Sequence, residues 1–319
     1  MIVTVTPNTA IDWTVFVPSF EFNQTIRANN AVWGMGGKAA DAAWVLGELG
    51  IPCMALGFAA GMIGQKMVEM LERKGVETDF VWVDGETRVN VLVVSEDGRG
   101  QSTLAVESLE VSDVHVEQMR CVYLGALDRP TPGYAEETSV ILGGSLPHGV
   151  ETKLYTEMVA EARRRGMPVV FDVYYGPLLR AGLAAGPTVI KPNRVELEGL
   201  TGHPVSSLQD VYRAAMEIYD QYGTMVIATL GEEGALAVLG DRAYQIPPIR
   251  VPVASTAGAG DAVLAGMADA LAKRQPLEEG LRLGFAAAAA VIMTPATADC
   301  RRSDVEALLP KVQLLPYHP

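Results

Sequence analysis

Short apolar runs rich in Val, Ile and Leu alternate with longer stretches of helical periodicity through most of the chain, and that alternation leaves few architectures open. Strands separated by helices pair in parallel, and the helices then cover both faces of the sheet. The apolar runs predict buried strands over 2–6, 53–57, 122–124, 140–142, 169–172, 188–190, 225–229 and 235–239. Helical spacing predicts helices over 38–49, 64–74, 153–165, 208–222, 259–273 and 277–293, several of them stopped by a glycine such as Gly50, Gly75, Gly166 or Gly223. The fold class is α/β.

Two stretches break the alternation. Residues 12–33 and 79–106 read as strands with turn signals, EDGRG at 96–100 among them, and no long helix separates them. They predict a small second sheet inserted in one α/β domain spanning 1–319. The two stretches flank a glycine-rich segment that starts at Gly34, so the small sheet is placed to cover a site there as a lid and keep water out. An edge extension of the main sheet is the alternative. AAAAA at 286–290 reads as close helix packing.

The charge balance narrows the partners. With 25 Lys and Arg against 38 Asp and Glu, the net charge of −13 argues against nucleic acid or an anionic membrane. RRR at 163–165 closes a predicted helix, where cations suit the dipole. No basic stretch leads into an apolar segment at the N-terminus, and 283–295 is too short to span a bilayer, so a soluble cytoplasmic protein is expected. Cys53, Cys121 and Cys300 are scattered and free of CxxC spacing, which points to neither disulfides nor zinc. An acidic protein that handles a phosphorylated ligand must concentrate cations locally, which singles out each Lys or Arg beside a glycine-rich turn.

STAGAGDAVLAGM at 255–267 runs a small-residue loop straight into a helix. The backbone N–H groups of Ala257, Gly258, Ala259 and Gly260 can converge on an anion with the helix N-terminus behind them, and Asp261 can take a proton from an attacking hydroxyl. An ordinary helix start is the plainer reading of that segment alone. In IKPNRVELEGLTG at 190–202, Lys191 ends a strand and can reach a phosphate, while Asn193 and Glu196 follow at one helical turn and can hold Mg²⁺ directly or through water. Thr229 and Gly231 stand at the end of a strand, where open α/β sheets bind ligands. GMGGKAADAAWVLGELG at 34–50 is a second glycine-rich helix start with Lys38 and Asp41 in its first turn. Asp12 in TPNTAID, Arg88 in TRVN and Ser145 in GGSLPHG each follow an apolar run.

In this order, these segments resemble the PfkB, or ribokinase-like, carbohydrate kinases along nearly the whole chain. TPNTAID, TRVN, GGSLPHG and IKPN are most similar to the branch acting on phosphorylated hexoses: 1-phosphofructokinase, tagatose-6-phosphate kinase and the minor 6-phosphofructokinase. The resemblance implies a three-layer α/β/α core with a mostly parallel sheet, a small β lid that often pairs with a partner's lid into a homodimer, and ATP with Mg²⁺ as cofactors. It implies Asp261 as catalytic base and the backbone of Ala257, Gly258, Ala259 and Gly260 as anion hole. Lys191, Thr229 and Gly231 match nucleotide contacts, and Asn193 and Glu196 match the element associated with magnesium and phosphate. Asp12, Gly36, Gly37 and Lys38 match the sugar side, and Arg88, Ser145 and Arg27 match positions that hold the substrate's phosphate.

Three positions depart from the pattern. Asp41 stands where the family's GGKGxN motif has a substrate-binding asparagine, and aspartate cannot donate as asparagine does and repels a phosphate nearby. An unphosphorylated sugar, an amino sugar or a nucleoside is therefore the second expectation, and a non-catalytic ligand sensor the third. Ala39 replaces a glycine, a smaller change. Ser255 replaces an aspartate found in many relatives, which leaves a monovalent-cation site open.

Overall fold

The computed structural model describes residues 1–106, 108–129, 138–174 and 176–318; Pro319, the last residue of the expected domain, lies outside them. The strands are β1 (Ile2–Asn8), β2 (Ala10–Val17), β3 (Asn30–Gly36), β4 (Cys53–Ala59), β5 (Glu77–Trp82), β6 (Arg88–Ser95), β7 (Gly100–Leu104), β8 (Ser139–Gly143), β9 (Val169–Asp172), β10 (Val189–Ile190), β11 (Met225–Thr229), β12 (Ala235–Leu239), β13 (Arg242–Ile246) and β14 (Leu315–Pro316). The helices are α1 (Lys38–Glu48), α2 (Gly61–Arg73), α3 (Asp113–Leu127), α4 (Lys153–Arg164), α5 (Pro177–Ala184), α6 (Arg194–Thr201), α7 (Leu208–Tyr222), α8 (Ala259–Ala272), α9 (Leu277–Val291) and α10 (Arg302–Leu308).

Ten strands form one sheet in the order β14-β13-β12-β11-β10-β9-β8-β1-β4-β5. Pairing is parallel from β5 through β11 and antiparallel at β12, β13 and β14. Side chains of successive strand residues point to opposite faces, and here both faces are apolar. Ile2, Cys53, Ala55 and Val170 pack with α1, α2, α8, α9 and α10 on one side. Val3, Val5, Met54, Leu56 and Phe171 pack with α3 to α7 on the other. The result is the expected three layers, and it explains why these strands read as continuous apolar runs.

The expected strand at 122–124 lies instead inside α3. The buried residues Val116, Met119, Tyr123, Ala126 and Leu127 recur at helical spacing, whereas Leu124 is exposed. Three apolar residues in a row carry no period, so strand and helix cannot be told apart there. At α8 and α9 the close packing expected of the alanine run rests on glycine as well: a Cβ on Gly266 would come within 2.3 Å of the Gly284 nitrogen.

The small sheet has the order β3-β2-β6-β7, with β2 and β6 parallel. Residues 79–82 belong to β5 at the edge of the large sheet, so the second stretch contributes to the small sheet only from Arg88. In the large sheet the chain leaves β1 towards β4 and β5, then returns to β8 on the other side of β1. Such a reversal opens a crevice beyond the carboxyl ends of the strands. Helix α8 runs opposite to the parallel strands: Ser139 at the start of β8 donates its hydroxyl to the Ala268 carbonyl, in the second half of α8, at 2.8 Å, while Gly260 in its first turn borders Lys191, just past the end of β10. The α8 N-terminus therefore faces the same crevice.

Candidate active site

The carboxyl ends of β1, β8, β9, β10 and β11 deliver Asn8, Ser145, Asp172, Lys191 and Thr229 to one rim. Asn8 donates its amide to Ser145 Oγ at 2.8 Å. Gly37, at φ +101°, turns β3 into α1; the Asp41 N–H bonds the Gly37 carbonyl at 2.7 Å, and the Ala40 N–H bonds Thr6 Oγ1 at 2.8 Å. This anchors the first turn of α1 above β1 and sends Lys38 across the crevice.

At the centre is a carboxylate that the motif reading missed. Asp172, 2% exposed, holds Lys38 Nζ at 2.9 Å through one oxygen and Lys191 Nζ at 3.0 Å through the other. Burial alone would raise the Asp172 carboxyl, but the two ammonium groups outweigh it and hold it below its ordinary range. Burial likewise works against the Lys38 cation, and Asp172, Asp261 and Glu196 together override it and raise its pKa.

The loop before α8 meets this cluster. A Cβ on Gly260 would lie 3.1 Å from Lys191 Nζ, so the ammonium borders the loop. Gly258 adopts φ +79° and sits so close to Ala298 that a Cβ would fall 2.4 Å from its nitrogen; the Ala298 N–H in turn bonds the Ala257 carbonyl at 3.1 Å. Only glycine fits there. Among the described residues the N–H groups of Gly258 and Gly260 meet no protein acceptor, and those of Ala257 and Ala259 make only long bonds, 3.3 Å to Ser255 Oγ and 3.5 Å to the Thr256 carbonyl. Such donors at a helix N-terminus suit an anion.

Three acids converge beside the loop. Burial raises the Asp261 carboxyl; Lys38 and Lys191 pull it down and Asp172 pushes it up. Asp41 is buried in contact with Asp261, and burial, Asp261 and Asp12 push its carboxyl well up. Asp12 is pushed up to about 6, by burial first, with the Asn90 amide at 2.9 Å, Thr297 and Arg88 opposing. A Cβ on Gly36 would lie 2.5 Å from Asp12 Oδ1, which brings that glycine into the same corner.

Asn193 and Glu196 form a reciprocal cap on α6: the Asn193 N–H bonds Glu196 Oε2 at 2.8 Å and the Glu196 N–H bonds Asn193 Oδ1 at 2.9 Å. The Thr229 N–H bonds the Pro192 carbonyl at 2.9 Å, tying β11 to that corner, and the space above Gly231 is open. Arg88 starts β6 opposite Ala10; it donates to the Thr9 and Asn8 carbonyls and sits near Asp12. Arg27 is not gathered in: it is exposed between β2 and β3, and no hydrogen bond or ion pair described here joins it to the cluster. Besides Asp172, the motif reading passed over Asn8, Asn90 and Gln101. Asn8 and Asn90 lie within TPNTAID and TRVN. Gln101 comes from β7 and accepts the Thr256 N–H at 3.3 Å, linking the small sheet to the loop.

An open, mostly parallel sheet, its reversal at β1, and a glycine loop of unfilled N–H groups between lysine and carboxylates define a ribokinase-like phosphotransferase, an enzyme with an alcohol group as acceptor. The chain belongs to the pfkB family of carbohydrate kinases, whose sequence model matches residues 3–304. It is 32% identical to a 1-phosphofructokinase of Haloferax volcanii, over 97% of this chain and 95% of that one. It is 30% identical to a 1-phosphofructokinase of Escherichia coli, over 99% of each. Among solved structures it superposes on phosphofructokinase-2 from Escherichia coli in complex with substrates and products with a TM-score of 0.88, at 28% identity over 97% of this chain and 98% of that one. Membership of a kinase family implies ATP as donor. No helix among the described residues is long and apolar enough to cross a membrane.

Proposed function

We propose that this protein transfers the γ-phosphoryl group of ATP to a hydroxyl of a phosphorylated ketohexose, with Asp261 as the base. The observation that carries the reading is the placement of the Asp261 carboxyl beside the loop of unfilled N–H groups, with Lys38 and Lys191 drawn in by Asp172. Asp261 takes the acceptor's proton. Charge then develops on the transferring group, and the N–H groups of Ala257, Gly258, Ala259 and Gly260 meet it already oriented. Lys191 reaches the ATP phosphates, and Thr229 and Gly231 border the nucleotide. Asp12, Gly36, Gly37, Lys38 and Asp41 face the sugar; Arg88 and Ser145 hold its phosphate, and Arg27 joins them if its segment folds inward.

Among the described residues no three His, Cys, Asp or Glu side chains stand together as metal ligands, and Asn193 and Glu196 already cap α6. That donor set fits Mg²⁺, which keeps several waters and takes one or two side chains plus phosphate oxygens. Asn193 and Glu196 would hold it through water, and bound Mg²⁺ would neutralise charge on the phosphates.

The substrate class rests on two relatives named 1-phosphofructokinase that match over nearly their whole length. ADP release with Mg-ATP is measured across fructose 1-phosphate, fructose 6-phosphate, tagatose 6-phosphate, free hexoses, amino sugars and nucleosides. A response confined to one phosphorylated ketohexose is expected. Activity only on uncharged or aminated acceptors would transfer the assignment to the second reading, which the exposure of Arg27 favours. Binding of a sugar without turnover would instead support a sensor.

The small sheet is proposed as lid and dimer interface. Trp13, Trp33 and Leu104 are exposed on one of its faces, with the two tryptophan rings stacked at 5.6 Å, and such a row suits a second copy of the sheet. Light scattering should give a dimer mass for the unaltered chain and a monomer mass for Leu104→Asp; a monomer in both removes the interface. A related structure is described as the tetrameric inhibited form of phosphofructokinase-2 from Escherichia coli, so that mass is watched for too. The three free cysteines, one of them exposed, suit the reducing cytoplasm proposed as its compartment.

A further inference from the structure

We infer that Asp41 works as a neutral carboxylic acid sharing one proton with Asp261, so that it replaces the family's asparagine as a hydrogen-bond donor and positions the base. The role of Asp261 as base rests on the proposed function; the shared proton does not.

Geometry is the first support. Asp41 lies in the first turn of α1, 4% exposed, and its Oδ1 is buried without a hydrogen-bond donor among the described residues. An ionised carboxylate is an acceptor only, and two of them in contact have no hydrogen to place between them. One proton on the pair supplies that hydrogen.

The surrounding charges point the same way. Asp41 faces Asp261 from α8 and Asp12 from β2, both acids. Lys38, on its own helix, acts on it too, but that ammonium is bonded to Asp172 at 2.9 Å. Lys191, beyond it, is ion-paired with the same Asp172 at 3.0 Å, and Arg88 from β6 sits with Asp12 and the Asn8 and Thr9 carbonyls. Lys38 and Lys191 both favour the charge on Asp261, so among the carboxylates sharing this site Asp41 is the one left to carry the proton. Burial and the two neighbouring acids accordingly push Asp41 well above the ordinary carboxylate range.

The substitution is conservative only in that state. Asparagine has donors and an acceptor; protonated aspartate has one of each, and ionised aspartate has no donor. Loss of the proton would also put a second negative charge beside the base and repel a phosphorylated acceptor. Activity of the natural chain should therefore decline in alkali through a step that the pH-rate profile of Asp41→Asn lacks. Because the folded state holds a proton that the unfolded chain releases near pH 4, stability falls as pH rises above that value. Asp41→Asn should thus melt higher at neutral pH, with the difference closing towards pH 4.

Infrared difference spectroscopy of the natural chain against Asp41→Asn, at neutral pH and without substrate, tests the proton directly. A protonated-carboxyl carbonyl band present in the natural chain and missing from the variant is expected, and its absence overturns the inference. Should the variant not fold, the same difference spectrum is taken against Asp261→Asn: loss or shift of the band is expected, and an unchanged band overturns the shared proton. Superimposable pH-rate profiles would overturn the positioning role. A band with no acceptor phosphorylated would uphold the shared proton while the kinase reading falls.

Discussion

Replacing Asp261 by Asn should lower turnover by about 10²–10⁴, the contribution of a positioned acid–base group, while ATP still binds. Asparagine keeps the side chain's size and its place in the first turn of α8, so the N–H groups of Gly258 and Gly260 stay where they are. What it loses is the ability to take a proton. In the natural site burial raises the Asp261 carboxyl, while Lys38 and Lys191 limit the rise; a base held above the ordinary carboxylate range is better matched to neutral pH than a free carboxylate. The variant also removes a negative charge beside the site proposed for the phosphates, so the ATP dissociation constant should hold steady or fall. Single-turnover kinetics and calorimetric ATP binding separate the two effects. Turnover within about tenfold of the natural chain would show that no general base of the usual strength acts at this position.

How much of this was legible in the sequence follows from what is local. The strand-helix alternation is repeated many times over and survives one misread run, so the three layers and the parallel sheet could be read in advance. The loop at 255–261 and the α6 cap at Asn193 and Glu196 are contiguous motifs whose shape is set by their own glycines and side chains. Asp172 is different. Its partner Lys38 lies 134 residues away, and the only local sign is a carboxylate closing an apolar strand, VVFD. Arg27 shows the converse: an arginine near a motif carries no information on whether the backbone turns it inward. The strand β13 was missed because RAYQI has only one buried residue and so lacks the continuous apolar run of the inner strands.

The second large effect is expected at Asp172, where the change is first one of stability. Asp172→Asn keeps the shape and leaves two ammonium groups, Lys191 almost fully buried and Lys38 partly so, without the carboxylate that joins them. Breaking a buried pair by removing one partner costs about 3–5 kcal/mol, because the remaining charge has lost its compensation. Asp261 and Glu196 offer partial relief through their attraction for Lys38, which favours the lower end of that range. The sign of the pH dependence is fixed by the depressed Asp172 carboxyl: its stabilisation is complete above the unfolded value near 4 and is lost as pH falls through the folded one. Melting curves of the two proteins should therefore lie far apart at pH 7 and converge in acid. ATP supplies the negative charge that the variant lacks, and a ligand that binds the folded state stabilises it by mass action. Saturating Mg-ATP should accordingly raise the melting temperature of Asp172→Asn more than that of the natural chain if Lys38 and Lys191 reach the phosphates. An equal rise in both would mean that the two lysines face each other across Asp172 for the sake of the fold alone, and that the nucleotide binds elsewhere on the rim.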